Sequence, residues 1–164
     1  MRAIILSKNG NVNQLKYTEL PLPQLNKGEV LVQNKAIGIN PIDLKTKNGN
    51  GIYPKLENEN PLILGWELSG VVTQSRSEKF DEGDEVFGLI NFPGHGKTYA
   101  EYVACPTAHL VKKPSNRSHF EAAATSLAGL TAYQSLVHLG GLKSGQKILI
   151  HAASGGVGHF AVQI

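Results

Sequence analysis

Lys147-Ile148-Leu149-Ile150-His151-Ala152-Ala153-Ser154-Gly155-Gly156-Val157-Gly158 is the stretch whose reading decides the fold. Ile148-Leu149-Ile150, after Lys147, are an apolar run and predict a strand over 147–150. A tight glycine turn follows, and Gly158 opens a predicted helix. A strand, a glycine turn and a helix N-terminus together make a phosphate cradle. The glycines let the backbone approach, and the unpaired N–H groups at the helix start point at the anion. Set against the dinucleotide-binding pattern, positions 153, 155 and 158 hold Ala, Gly and Gly, so alanine stands for the first glycine. An ordinary strand-to-helix turn is the plainer reading of the same residues. The residue that reads a ribose lies about 20 positions after such glycines, which falls past Ile164.

Working outward, residues 122–139 are rich in Ala and Leu and predict buried helix. Gly129 is expected to divide it, and Gly140-Gly141 to end it. Ser118-His119-Phe120-Glu121 is a capping-box pattern, with the serine capping forward and the glutamate reaching back. The change in character places a domain boundary between 114 and 122, giving blocks 1–118 and 119–164.

The first block reads as many short strands. Residues 1–6 and 15–20 form a hairpin around the polar turn 8–13, and Pro21 and Pro23 end it. Residues 29–39 predict a long strand whose end is apolar on both faces. Pro41 pushes Asn40 into an extended conformation, so Asn40 ends a buried strand where its amide is able to face a cavity. Residues 45–60, rich in Asn, Gly and Lys and carrying Tyr53-Pro54, read as a mobile loop. Gly65 and Gly70 within apolar strand sequence signal close backbone approach or barrel corners. Residues 73–79 read as a polar turn, 85–90 as a strand and 91–97 as a flexible loop. Residues 98–104 and 109–112 read as further strands. Short strands punctuated by Gly and Pro predict a barrel or sandwich.

Composition narrows the function. Hydrophobic residues make up 41% and charged residues 18%, the balance of a globular protein. No apolar run approaches the roughly 18 residues of a membrane span, and residues 1–6 lack the pattern of a signal peptide. The single cysteine, Cys105, excludes an internal disulfide and a multi-cysteine zinc site, and makes the cytoplasm the expected compartment. The net charge of +3 is spread thinly, which argues against nucleic acid and fits solvated lysines. The histidines, His95 in its glycine loop among them, lack metal-ligand spacing and read as structural or surface groups. Cys105 reads as a small core or surface residue. Thr131 and Tyr53 have plain readings too: a threonine bonded back to its own helix, and an exposed loop aromatic.

Five ordered motifs then add up. They are Ala36-Ile37-Gly38-Ile39-Asn40-Pro41-Ile42-Asp43; residues 61–72 with Gly65 and Gly70; Phe80 with Gly83-Asp84-Glu85-Val86-Phe87-Gly88 and Tyr99-Ala100-Glu101-Tyr102-Val103; Leu127-Ala128-Gly129-Leu130-Thr131-Ala132-Tyr133; and Ala152-Ala153-Ser154-Gly155-Gly156-Val157-Gly158. With these, the chain resembles the N-terminal part of the medium-chain dehydrogenase/reductase superfamily, in its zinc-free quinone oxidoreductase branch. The resemblance implies an α/β protein: a GroES-like β-barrel catalytic domain followed by the truncated start of a Rossmann domain. The cofactor would lie in the cleft between them. In zinc-dependent relatives a cysteine follows the long strand and a histidine precedes the glutamate of the next motif. Asn40 and Trp66 stand there in this chain, so no metal is expected.

The resemblance implies hydride transfer from NADPH, with NADH the alternative, to a quinone or activated enone. Ser154, Gly155, Gly156, Val157 and Gly158 would hold the pyrophosphate, and Thr131 would face the nicotinamide. Tyr53 would flank cofactor or substrate, and Asn40 would line the reaction cleft. No residue stands out as an obligatory proton donor. An enoyl-thioester reductase of the same superfamily and a non-catalytic binding module that keeps the fold are the competing readings. A homodimer is the assembly the resemblance suggests. The segment from Gly70 to Phe80 is shorter than the family pattern. The chain is expected to be a fragment that binds cofactor weakly and is catalytically weak or inactive by itself.

Overall fold

The computed structural model describes residues 1–164. By internal contacts it divides into two compact units, Met1–Ala124 and Thr125–Ile164.

The first unit is the β-rich one. Strands β1 (Arg2–Leu6) and β2 (Leu15–Glu19) pair antiparallel as the expected hairpin. The long strand β3 (Glu29–Gly38) leads to helices α1 (Pro41–Lys47) and α2 (Tyr53–Leu56). Strands β4 (Glu67–Ser75), β5 (Glu85–Leu89), β6 (Tyr102–Pro106) and β7 (Leu110–Lys112) complete an antiparallel sheet of order β6-β3-β4-β5-β7. Isolated bridges from Ala3 to Ala100 and from Ile5 to Ile63 join the hairpin to the rest. One apolar cluster gathers Val30, Val32, Leu68, Val72, Val86, Ile90 and Leu110. A second gathers Leu6, Ile52, Leu56, Leu62, Leu64 and Trp66 beneath the two short helices.

Glycine makes one close approach possible. Gly70 on β4 faces Asn34 on β3, and a Cβ there would collide with the Gln33 carbonyl. The β3–β4 register shifts between Asn34 and Ala36, a bulge that bends the strand and re-aims its side chains. The Asn34 amide then donates to the carbonyls of Thr98 and Ala100 at 3.0 and 2.8 Å. A side chain thus holds residues 98–100, where the sequence predicts the start of a strand; the strand itself begins at Tyr102.

Three further expectations are corrected. Residues 45–60 are not a loop throughout: α1 runs to Lys47 and α2 occupies Tyr53–Leu56. Asn40 is the N-cap of α1, Pro41 its first residue and Asp43 its acidic third, with Lys45 and Lys47 in the last turn. All of these favour a helix. Gly49, at φ +86°, follows the C-cap Asn48 and stops it. Residues 73–79 are not all turn, because β4 continues to Ser75. In place of a flexible surface, the 91–97 loop buries the His95 side chain to 7% exposure, with its Nδ1 2.9 Å from Glu59.

Helix α3 (His119–Ala123) starts on the expected Ser118–Glu121 capping box. His119 bridges two strands: its Nδ1 lies 2.7 Å from Ser69 Oγ and its Nε2 lies 3.0 Å from Glu85 Oε1.

The second unit holds α4 (Ser126–Tyr133), a π-helical stretch at Gln134–Leu139, and α5 (Gly158–Gln163). The helical break falls at Ala124–Thr125, and Gly129 sits inside α4, where α5 packs with Phe160 near it. The strand predicted at 147–150 does not form. Leu149 is 81% exposed. A strand needs a neighbour to satisfy its backbone groups, and these four residues pair with none.

Candidate functional site

In the first unit the site is built around Asn40, at the end of β3. Its backbone is extended, at φ −123° and ψ 160°, as Pro41 dictates. Its N–H donates to Asp43 Oδ2 at 2.7 Å, and its side-chain Nδ2 donates to Glu67 Oε2 at 2.6 Å. Both carboxylates are buried, Asp43 to 3% and Glu67 to 1% exposure. Gly38 pairs with Glu67 across β3–β4, and a Cβ on Gly38 would collide with Glu67 Oε2. The glycine therefore leaves the room through which Glu67 reaches Asn40.

Burial pushes the Asp43 carboxyl above the ordinary aspartate range, opposed first by the Asn40 N–H and then by the Tyr99 hydroxyl. The Tyr99 phenol is itself pushed up, by burial and then by the Asp43 charge. Trp66, beside Glu67, is 1% exposed. Its Nε1 donates to the Gly94 carbonyl at 2.6 Å, and its ring meets Phe92 edge-on at 5.8 Å.

Tyr53 begins α2. Its ring is half-buried against the second apolar cluster rather than free on a loop, and its N–H donates to Asn50 O at 3.0 Å. Asn40 and Tyr53 therefore stand at the N-terminal ends of two successive helices of one unit.

In the second unit, Thr131 lies exposed on α4, and its Oγ1 donates to Leu127 O at 2.7 Å. The hydroxyl proton is used within the helix, which leaves the oxygen as an acceptor. In the glycine turn the Gly155 N–H donates to Ala152 O at 2.9 Å. Ala152 has φ +52°. Gly158 is buried, and a Cβ there would strike Ala152 O and Ala153 Cα. Gly156 differs: nothing lies within 4 Å of where its Cβ would be. Ser154 and Val157 are exposed. Gly156 therefore leaves open surface in the turn that leads into α5.

Asp43, Glu67 and Tyr99 escaped a reading made from residue types alone. The signals were present. Glu67 is a charge inside apolar strand sequence, and Asp43 is the third helical residue after an Asn-Pro start. Ser69, His119 and Glu85 resemble a nucleophile–base–acid relay. However, Ser69 is fully buried and its Oγ also donates to Val86 O at 3.0 Å, so it offers no face to a substrate. Cys105 is likewise fully buried, and burial pushes its thiol up, away from reactivity.

Residues 26–115 match the family described as Alcohol dehydrogenase GroES-like domain. The mouse (Mus musculus) synaptic vesicle membrane protein VAT-1 homolog-like is 34% identical over 100% of this chain and 38% of its own length. The chloroplast envelope quinone oxidoreductase homolog of Arabidopsis thaliana is 37% identical over 96% of this chain and 50% of its own. Among solved structures, the quinone oxidoreductase from Coxiella burnetii superposes with a TM-score of 0.92 at 40% identity, over 99% of this chain and 52% of that one. The CurK enoyl reductase gives 0.87 at 30%, over 99% and 50%. Mycobacterial Rv1454c complexed with NADPH gives 0.84 at 31%, over 99% and 49%. The chain thus spans about half the length of most of these proteins, and less of the first. No helix in the structure is long and apolar enough to cross a membrane.

Proposed function

We propose that this chain, which belongs to the alcohol dehydrogenase GroES-like family of the medium-chain dehydrogenase/reductase superfamily, serves a zinc-independent, NADPH-dependent reduction of a quinone or activated enone. The observation that carries the reading is the Asn40–Glu67 contact at 2.6 Å beside the buried Trp66. Zinc-dependent relatives carry a thiolate and an imidazole at the positions of Asn40 and Trp66. Here one is an amide that donates to a carboxylate, and the other is an indole whose single N–H is spent on Gly94. Neither is a zinc ligand.

When bound, the reduced nicotinamide supplies the hydride. The chain's own residues bind and orient. The backbone from Ser154 to Gly158 would hold the pyrophosphate, and the Thr131 oxygen would accept a hydrogen bond at the nicotinamide end. Tyr53 would flank the cofactor or substrate with a ring fixed by the apolar cluster beneath it, and Asn40 would line the cleft. A reduced quinone takes its protons from solvent, so an acid held at the reacting atoms is not required. The likeness to a structure that holds NADPH supports NADPH, and the likeness to an NAD-dependent alcohol dehydrogenase keeps NADH as the alternative. A second reading, reduction of an enoyl thioester, draws on the likeness to the CurK enoyl reductase.

The test is loss of NADPH absorbance with a panel of quinones, enones and enoyl thioesters, repeated with NADH and after chelation. In a chain of the relatives' full length, turnover of quinones that survives chelation is expected, as is a loss of about tenfold in kcat/KM for Asn40→Ala, equivalent to ~1.4 kcal/mol; residues 1–164 by themselves are expected to turn over weakly or not at all. Activity abolished by chelation and restored by zinc would overturn the metal-free reading. Preference for enoyl thioesters would select the second reading.

A further inference from the structure

We propose that Glu67 is the positioning residue for Asn40, fixing which end of its amide is presented to a ligand; the functional part of this rests on the reading of Asn40 given above. Glu67 Oε2 is in the accepting role here and needs a donor opposite it, whereas an amide offers donors at one end and an acceptor at the other. With Glu67 Oε2 2.6 Å from Asn40 Nδ2, the NH2 end is committed to Glu67. Turning the amide over would set two acceptor oxygens against each other. Asn40 therefore turns its carbonyl oxygen away from Glu67, towards the Asp43 N–H of the capping box, and a ligand group that meets this oxygen must be a donor, a hydroxyl or an N–H.

The surroundings hold both partners of this contact. The Glu67 side chain occupies the space that Gly38 leaves, where any Cβ would collide with its carboxylate. Its backbone belongs to β4 and pairs with Gly38 on one side and Leu89 on the other. The preceding residue, Trp66, is tied through its indole to Gly94 and through its carbonyl to the Ile90 N–H at 2.7 Å. On the other side of the contact, the Asn40 backbone is fixed by Asp43 Oδ2 at 2.7 Å and by Pro41. Asp43 fixes where the residue sits through the capping box at the start of α1, and Glu67 holds the NH2 end of its amide. Glu67 differs from a simple buried carboxylate in acting through one named side chain. Its loss should therefore be visible on that side chain.

The experiment is nuclear magnetic resonance of the nitrogen-15-labelled 164-residue chain, with the Asn40 side-chain amide assigned by its disappearance in Asn40→Ala. Glu67→Gln keeps the shape and replaces the carboxyl group by an amide that faces Asn40 either way round. Glu67→Asp keeps the carboxyl group and withdraws it by one carbon–carbon bond, and serves if the first variant does not fold. The expected result is at least tenfold faster exchange of the Asn40 amide protons with solvent in either variant, together with a shift of that resonance pair. The backbone amides of β4 should stay protected. An Asn40 side-chain signal unchanged in a folded Glu67 variant overturns the proposal.

NADPH titrations run alongside separate this proposal from the reading of the site. If Asn40→Ala and Glu67→Gln each weaken NADPH about tenfold, and the double variant is no weaker than either, Glu67 acts through Asn40. Additive losses overturn that. If neither variant alters NADPH binding while the resonance changes as expected, the positioning stands and the cofactor-side role of Asn40 falls.

Discussion

The part-buried contact between Asn40 and Glu67 is sensitive to a single atom. Asn40→Asp replaces a donor by a second carboxylate, 2.6 Å from the first. Two like charges at that distance cannot both ionise, so the pair must share a proton and its apparent pKa in the fold rises. A carboxyl raised in the fold binds its proton more tightly there than in the unfolded chain, and stability then falls as pH climbs through that window. The variant should lose about 3 kcal/mol at neutral pH and recover part of this in acid, read by urea unfolding at several pH values. His95 tests the opposite sign. Burial, and then the Lys97 charge, hold its imidazole below the ordinary value of 6.5, against the pull of Glu59. The unfolded chain therefore takes up a proton first as the pH drops. This contribution is whole above about pH 6.5 and is lost progressively below it. His95→Gln should flatten the slope of stability between neutral pH and pH 5, whatever its effect on absolute stability.

Among the elements, those set by local chemistry were legible in the sequence, and those set by distant partners were not. The hairpin, β3 and the Ser118 capping box follow from alternation, proline and cap residues. Ser118→Ala should accordingly cost about 1 kcal/mol, with faster hydrogen exchange confined to the start of α3. Helix α1 was equally local, written as an Asn cap, Pro41 and Asp43, but its Asn, Gly and Lys content reads as loop. The predicted strand at 147–150 errs for the reverse reason. Its composition suits a strand, yet pairing is not a property of four residues. At the candidate site, the extended backbone of Asn40 and the tight turn at 152–158 were legible because their backbone demands are written in neighbouring prolines and glycines. Glu67 and Tyr99 were not, because only the fold brings them towards residues 40–43. The glycines separate fold from function by experiment. Gly70→Ala forces a Cβ into the Gln33 carbonyl and should destabilise by about 1–3 kcal/mol or more. Gly156→Ala meets nothing within 4 Å and should leave the unfolding midpoint in urea within about 0.5 kcal/mol of its original stability. If the turn holds pyrophosphate, the same change will weaken NADPH in a fluorescence titration.

At the scale of the whole molecule, the two units are unequally built, and this has a kinetic consequence. Met1–Ala124 contains both apolar clusters and every paired strand. Thr125–Ile164 has three helical segments and leaves Leu139, Leu149 and Val162 more than 60% exposed. Exposed backbone with few buried contacts opens at low free energy, and proteases cut where the chain opens. Residues 143–150 contain Lys143 and Lys147 in a stretch without helix or strand. By contrast, Lys113 has a buried side chain 3.2 Å from Glu85, and Lys47 bonds to Gly10 O at 2.5 Å inside the fold. Trypsin at low ratio should therefore cut first after Lys143 and Lys147, leaving a resistant fragment that contains the whole first unit, identified by mass spectrometry. Simultaneous cleavage at Lys47 or Lys113 would show that the first unit is not the more stable of the two. A ligand that binds only the closed form slows such opening by mass action. If NADPH seats on the glycine turn, a few residues from these lysines, as proposed, it should protect both sites in proportion to its occupancy, and a Gly156→Ala chain should need more NADPH for the same protection.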